Sequence, residues 1–145
     1  MNPSGILDVA HSIQLAVAPV FLLSAVGVFL TVLTNRLGRI IDRARLLERS
    51  MADPAAPEEA HAELRALAKR ARMVQIAIAS STVCALLICL VIVTLFAGVA
   101  LSRDLSRLIV IFFVVGLGAF IGALLVFLLE IRAAITALHL RPESR

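Results

Sequence analysis

At 145 residues, 61% of them hydrophobic, and with a mean hydropathy of +1.00, the chain is too apolar for a water-exposed globule, whose surface must be largely polar. Its net charge of +4 and isoelectric point near 10.4 come with no nucleic-acid recognition motif and no run of stacking aromatics, which argues against nucleic acid as a partner. Lipid is the expected solvent for much of the molecule.

The opening "MNPSGILDVAHSIQ" carries an acidic residue and no lysine or arginine, unlike the basic start of a signal peptide, so the first apolar segment is expected to be retained. That segment, residues 13–34, is long enough to cross a hydrocarbon core of about 30 Å at about 1.5 Å per helical residue. Pro19 stands inside it and removes one amide donor, a disturbance best tolerated near a helix end. Ser24, Gly27, Thr31 and Asn35 recur along one side of the predicted helix. In an oligomer, Ser24 and Thr31 are candidates to line a narrow pore with Asn35 at its inner mouth. Small-residue helix packing with an interfacial asparagine is the plainer reading of the same stripe.

From Asn35 the sequence turns basic without a helix breaker. Leu37, Ile40, Ile41, Ala44, Leu47 and Met51 keep a helical apolar face, surrounded by charges that include Arg36, Arg39, Asp42, Arg43 and Arg45. Pro54 and Pro57 then predict a turn, with Asp53 as a cap for the next helix. On the return limb Leu64, Leu67, Ala68, Ala71 and Val74 supply a matching apolar face. Residues 35–73 hold nine Lys/Arg against six Asp/Glu, an excess expected to keep this connection in the cytoplasm. The alternative is a pair of amphipathic helices lying flat at the interface.

The second span, residues 74–101, carries Gln75, Ser80 to Thr82 and Thr94, whose hydroxyls can bond to a preceding carbonyl without water. Its cysteines, Cys84 and Cys89, read as packing residues with no metal-ligating neighbours. Ser106 is expected to cap the third span, residues 108–129. There Gly118 and Gly122 form a G-x-x-x-G pair that permits close helix approach, within the protomer or between subunits. Glu130 follows this span immediately. A carboxylate at that depth needs water, a headgroup or an arginine, and Arg36 or Arg72 is the expected partner. His11, His61 and His139 are scattered, and no catalytic constellation, cofactor motif or metal-ligand set is present. No enzyme activity, cofactor or metal is expected.

The expected fold is all-α: a single three-span integral membrane domain over residues 1–145, its first and second spans extended as a cytoplasmic helical hairpin (35–73), followed by an amphipathic tail (130–145). The amino terminus is placed outside and the carboxyl terminus in the cytoplasm. The stretches "APVFLLSAVGVFLTVLTNRLGRIIDRARLLE", "ELRALAKRARMVQIAIASST" and "LLEIR" resemble a family of small bacterial membrane proteins grouped as domain of unknown function 2721. The resemblance covers about residues 13–132. It implies three spans and a bacterial inner or cytoplasmic membrane, and it marks Pro19, Asn35, Arg36, Arg39, Asp42, Arg43 and Arg45 without assigning them a duty. Three readings of function stay open. One is a homo-oligomeric ion channel lined by the first span. A second is a membrane scaffold, or a module that binds lipid or an unidentified protein partner through the hairpin. The third is a small transporter or accessory subunit.

Overall fold

A computed structural model describes residues 3–50 and 58–139. Three helices account for nearly all of them: α1, Pro3–Ser50; α2, Glu58–Leu101; and α3, Ser106–His139. Each is long and apolar enough to cross a membrane, because an unbroken helix satisfies every interior backbone donor and acceptor where lipid offers none. At 48 and 44 residues, α1 and α2 correspond to about 72 and 66 Å of helix, more than twice the thickness of a hydrocarbon core. Helix α1 runs through Pro19, whose side chain is buried. The basic stretch after Asn35 continues α1 without interruption, and α3 carries on past Glu130 to His139. The prolines expected to turn the chain, the Asp53 cap and Met51 lie outside the described residues, as do residues 140–145 of the tail.

The chain divides into two compact units, residues 1–30 with 80–121 and residues 31–79 with 122–145. In the first, Val26 of α1 packs with Cys84 and Ile88 of α2, all fully buried, and Phe113, Ala119 and Phe120 of α3 close around them. Phe29 meets the Phe120 ring edge to face, with 5.6 Å between centroids and an interplanar angle of 87°, the arrangement favoured by the ring quadrupoles. The close helix approach falls at Gly116: a Cβ there would sit 3.4 Å from the Leu87 Cβ and 3.6 Å from Ile88 Cδ1. Gly118 is exposed and Gly122 half-buried, and a Cβ on either meets nothing within 4 Å.

The short connection between α2 and α3 is tied at both ends. The Ser102 amide donates to Val99 O (3.3 Å) and the Arg103 amide to Gly98 O (3.1 Å), with Ser102 at φ 50°. This is the left-handed helix stop that more often uses glycine. Gly98 lets the turn fold back closely, since a Cβ there would lie 3.3 Å from the Arg103 carbonyl oxygen. At the start of α3 it is Asp104 that satisfies an orphan donor: its Oδ1 accepts from the Ser106 amide (3.0 Å) and the Ser106 hydroxyl (2.5 Å). Ser106 is the first helical residue and donates to the cap.

In the second unit Leu33 and Ile40 of α1 and Leu67, Val74 and Ala77 of α2 are buried, together with Ala123 and Glu130 of α3. Of the two expected apolar limbs, Ile40, Leu67 and Val74 are therefore covered. Leu37, Ala44, Leu47, Leu64 and Ala71 are half-buried, and Ile41 and Ala68 are exposed.

Candidate functional site

The second unit holds one fully buried charged side chain among the described residues, Glu130. An isolated carboxylate costs several kcal/mol to bury, so the site must bring cations to it. Arg70 of α2 does so with two donors, Nε at 3.1 Å and Nη2 at 3.0 Å, both to Glu130 Oε1. Arg36 of α1 places Nη2 3.0 Å from the other oxygen, Oε2. That second contact is an ion pair without the alignment of a hydrogen bond, since Oε2 is buried and accepts none. The two oxygens thus differ: Oε1 is held by directed bonds, whereas Oε2 is compensated by charge and keeps its acceptor capacity.

Both arginines are themselves largely sheltered, with side chains 26% (Arg36) and 27% (Arg70) exposed. The Arg36 guanidinium also lies over the Phe127 ring, 5.3 Å from its centroid, a contact that suits a weakly hydrated planar cation. Helical spacing explains why Arg70 is the α2 partner. It stands three residues after Leu67 and four before Val74, on the buried side of the helix. Arg72 lies two positions on, about 200° round the helix, and is exposed. Glu130 therefore joins Arg36 and Arg70, while Arg72 stands apart from the cluster.

Further along the same limbs, Arg43 donates through Nε (3.1 Å) and Nη2 (2.9 Å) to Glu63 Oε1. Both partners are substantially exposed, 53% and 37%, so this pair contributes little to stability. Arg36, Arg39, Arg43 and Arg70 line one groove of about 550 Å³, with Val32, Ile40 and Leu67 between them. Sequence reading singled out the first three of these arginines and missed Arg70. Its signal was the placement beside Leu67 and Val74. Asp42 and Arg45 are exposed on α1.

The polar stripe of the first span faces outward. Ser24, Thr31 and Asn35 are exposed, as are Gly27 and Gly38, and a Cβ on either glycine meets nothing within 4 Å. Ser24 donates to the Val20 carbonyl oxygen at 3.2 Å. The buried residues Val26, Leu33 and Ile40 repeat every seven residues, and so do Ser24, Thr31 and Gly38 two positions earlier. A shift of two residues is about 200° of helix, so the two stripes occupy opposite sides of α1. In the second span Ser81 is buried, and Thr94 donates to the Leu90 carbonyl oxygen at 2.7 Å. Cys84 is buried and Cys89 exposed. Among the described residues no three His, Cys, Asp or Glu side chains gather in a way that could hold a metal ion.

Three long apolar helices, with one charged cluster where basic sequence succeeds apolar sequence, define a multi-pass α-helical membrane protein. The chain belongs to the bacterial integral-membrane family described as "Protein of unknown function (DUF2721)", whose model matches residues 16–140. No curated protein and no solved structure matches it.

Proposed function

We propose that the protein is a homo-oligomeric ion channel of the bacterial inner membrane, in which each protomer turns the Ser24, Thr31 and Asn35 face of α1 towards a central axis. One observation carries this reading: the polar stripe of the first span is exposed on the protomer, on the side of α1 opposite the buried Val26, Leu33 and Ile40. Ser24 already satisfies its donor on the Val20 carbonyl, so it is the side-chain amide of the exposed Asn35 that favours a partner helix or a wet path over hydrocarbon. The small residues Gly27 and Gly38 on the same face allow helices to come close. On this reading the extended limbs of α1 and α2 form a cytoplasmic hairpin at the inner mouth. The nine basic residues between 35 and 73 support that orientation. The amino terminus is then outside and the carboxyl terminus inside, and the protein catalyses no reaction.

The test is ion flux and single-channel current from the full-length protein in defined liposomes, with Asn35→Leu and Thr31→Val variants that keep the wild-type oligomeric state. Current that both substitutions reduce supports the channel. Assembly without current, across voltage, pH and common ion gradients, makes the same face a dry association seam and the protein a membrane scaffold.

A further inference from the structure

We propose that the arginine groove on α1 and α2 is a binding site for a phosphate-ester anion at the depth of the lipid headgroups. It stands independently of the channel reading, because it uses another side of α1. The groove brings together Arg36, Arg39, Arg43 and Arg70 in about 550 Å³, within the range of small-ligand sites. Their four positive charges meet the two carboxylates of Glu130 and Glu63, which leaves two positive charges for an external anion. Arg39 has no carboxylate partner among the described residues.

The internal pairs leave donors available. Arg70 and Arg43 each spend Nε and Nη2 on a single carboxylate oxygen, so among the described residues the Nη1 edge of each guanidinium has no partner. Arg36 spends Nη2 on Glu130. Glu130, buried and bonded to Arg70, holds two of the four cations in place, so a ligand would not have to order them. Bidentate guanidinium forks fit the tetrahedral oxygens of phosphate better than ammonium groups do. Depth also fits a headgroup: the apolar run of the first span ends at Thr34, and Arg36, Arg39 and Arg43 follow on the next turns. Ile40 and Leu67 give the groove apolar wall beside the cations, suited to the glycerol and upper acyl part of a lipid.

The experiment titrates the full-length protein in neutral detergent with short-chain phosphatidylglycerol, with phosphatidylcholine of the same chains, and with inorganic phosphate. Thermal unfolding and native mass spectrometry are the readouts. The expected result is one phosphatidylglycerol retained per protomer in preference to phosphatidylcholine, with a raised unfolding temperature. Arg39→Gln should weaken binding roughly tenfold, the loss of one charge-assisted contact, and Arg39→Lys should weaken it less. Arg45→Gln removes the same charge from an exposed α1 position outside the groove, and should change affinity less than about twofold if only diffuse attraction is lost. Inorganic phosphate that displaces the lipid and stabilises wild type but not Arg39→Gln also supports the site, with a free phosphate ester as the source. Equal weakening by Arg39→Gln and Arg45→Gln overturns the proposal as diffuse surface attraction. Equal retention of both lipids, indifferent to Arg39→Gln, overturns it too.

Discussion

Arg70 grips Glu130 through two donors on one oxygen, at 3.1 and 3.0 Å, while Arg36 meets the other oxygen by charge alone. The two arginines should therefore be unequal in a double-mutant analysis. Removing one partner of a buried pair typically costs about 3–5 kcal/mol. Arg70→Gln is expected near that range and Arg36→Gln below it. Exchanging the charges of Arg70 and Glu130 should restore part of the loss, whereas pairing Glu130→Arg with Arg72→Glu should restore none. Unfolding in mild detergent measures all of these, and rescue through Arg72 would contradict the assignment.

Arg43 and Glu63 form a bond of similar length in a different setting. Because both side chains are substantially exposed, Glu63→Gln should change stability by less than about 1 kcal/mol, and added salt should erase the difference. A loss as large as that of Glu130→Gln would show that this pair is sheltered in the membrane.

The glycines of α3 should separate cleanly. A Cβ at the buried Gly116 would already be in van der Waals contact with Leu87 and Ile88, which leaves no room for the rest of a leucine, so Gly116→Leu is expected to destabilise the protomer by about 1–3 kcal/mol through overpacking. Gly118→Leu and Gly122→Leu enter open space and should leave protomer unfolding nearly unchanged. Comparing unfolding with size-exclusion profiles separates a packing role from a role in association.

In the connection between α2 and α3, Ser102 holds φ 50°. Ser102→Gly should stabilise by about 1 kcal/mol, because glycine adopts that conformation without the Cβ clash, and Ser102→Val should destabilise. Asp104 next to it titrates usefully. Hydrogen bonds from the Ser106 hydroxyl and amide hold its carboxyl below the ordinary value of 3.8. Its folded value is the lower one, so its contribution is present above pH 3.8 and fades as pH falls through the depressed value. Wild type and Asp104→Asn should therefore differ in melting temperature at neutral pH and converge in acid.

Cysteine scanning along α1 checks the opposed stripes directly. In a Cys89→Ser background, cysteines at 24, 31 and 38 should cross-link between protomers in membranes, and cysteines at 26, 33 and 40 should not. Cross-linking from the second set would mean that the buried face of α1 opens to a neighbour.

Much of this architecture was legible from periodicity and charge. Three apolar runs, a basic junction after Asn35 and a carboxylate immediately after the third span are visible in one dimension, because crossing lipid imposes length and backbone satisfaction on any sequence. The partner of Glu130 was only half legible. Depth along a helix follows from counting, which brought Arg36 to the right level and pointed to Arg72, two residues from the α2 partner Arg70. Rotation about the helix depends on which residues pack, and burial of Leu67, Val74 and Ala77 turns Arg70 inward. The glycines teach the same lesson. A G-x-x-x-G pair permits approach, but where helices meet depends on the partner's surface, and Leu87 and Ile88 bring it to Gly116. At Asp104 and Ser106, either residue could serve a helix start, and the turn geometry decided between them.

The Glu130 cluster also bears on how the protein is made. Arg36 and Arg70 emerge from the ribosome before Glu130, and until α3 arrives that carboxylate cannot neutralise them. Uncompensated cations beside an apolar span are the kind of charge that resists translocation. Once the last helix docks, the same two residues become its counter-ions and fix its depth.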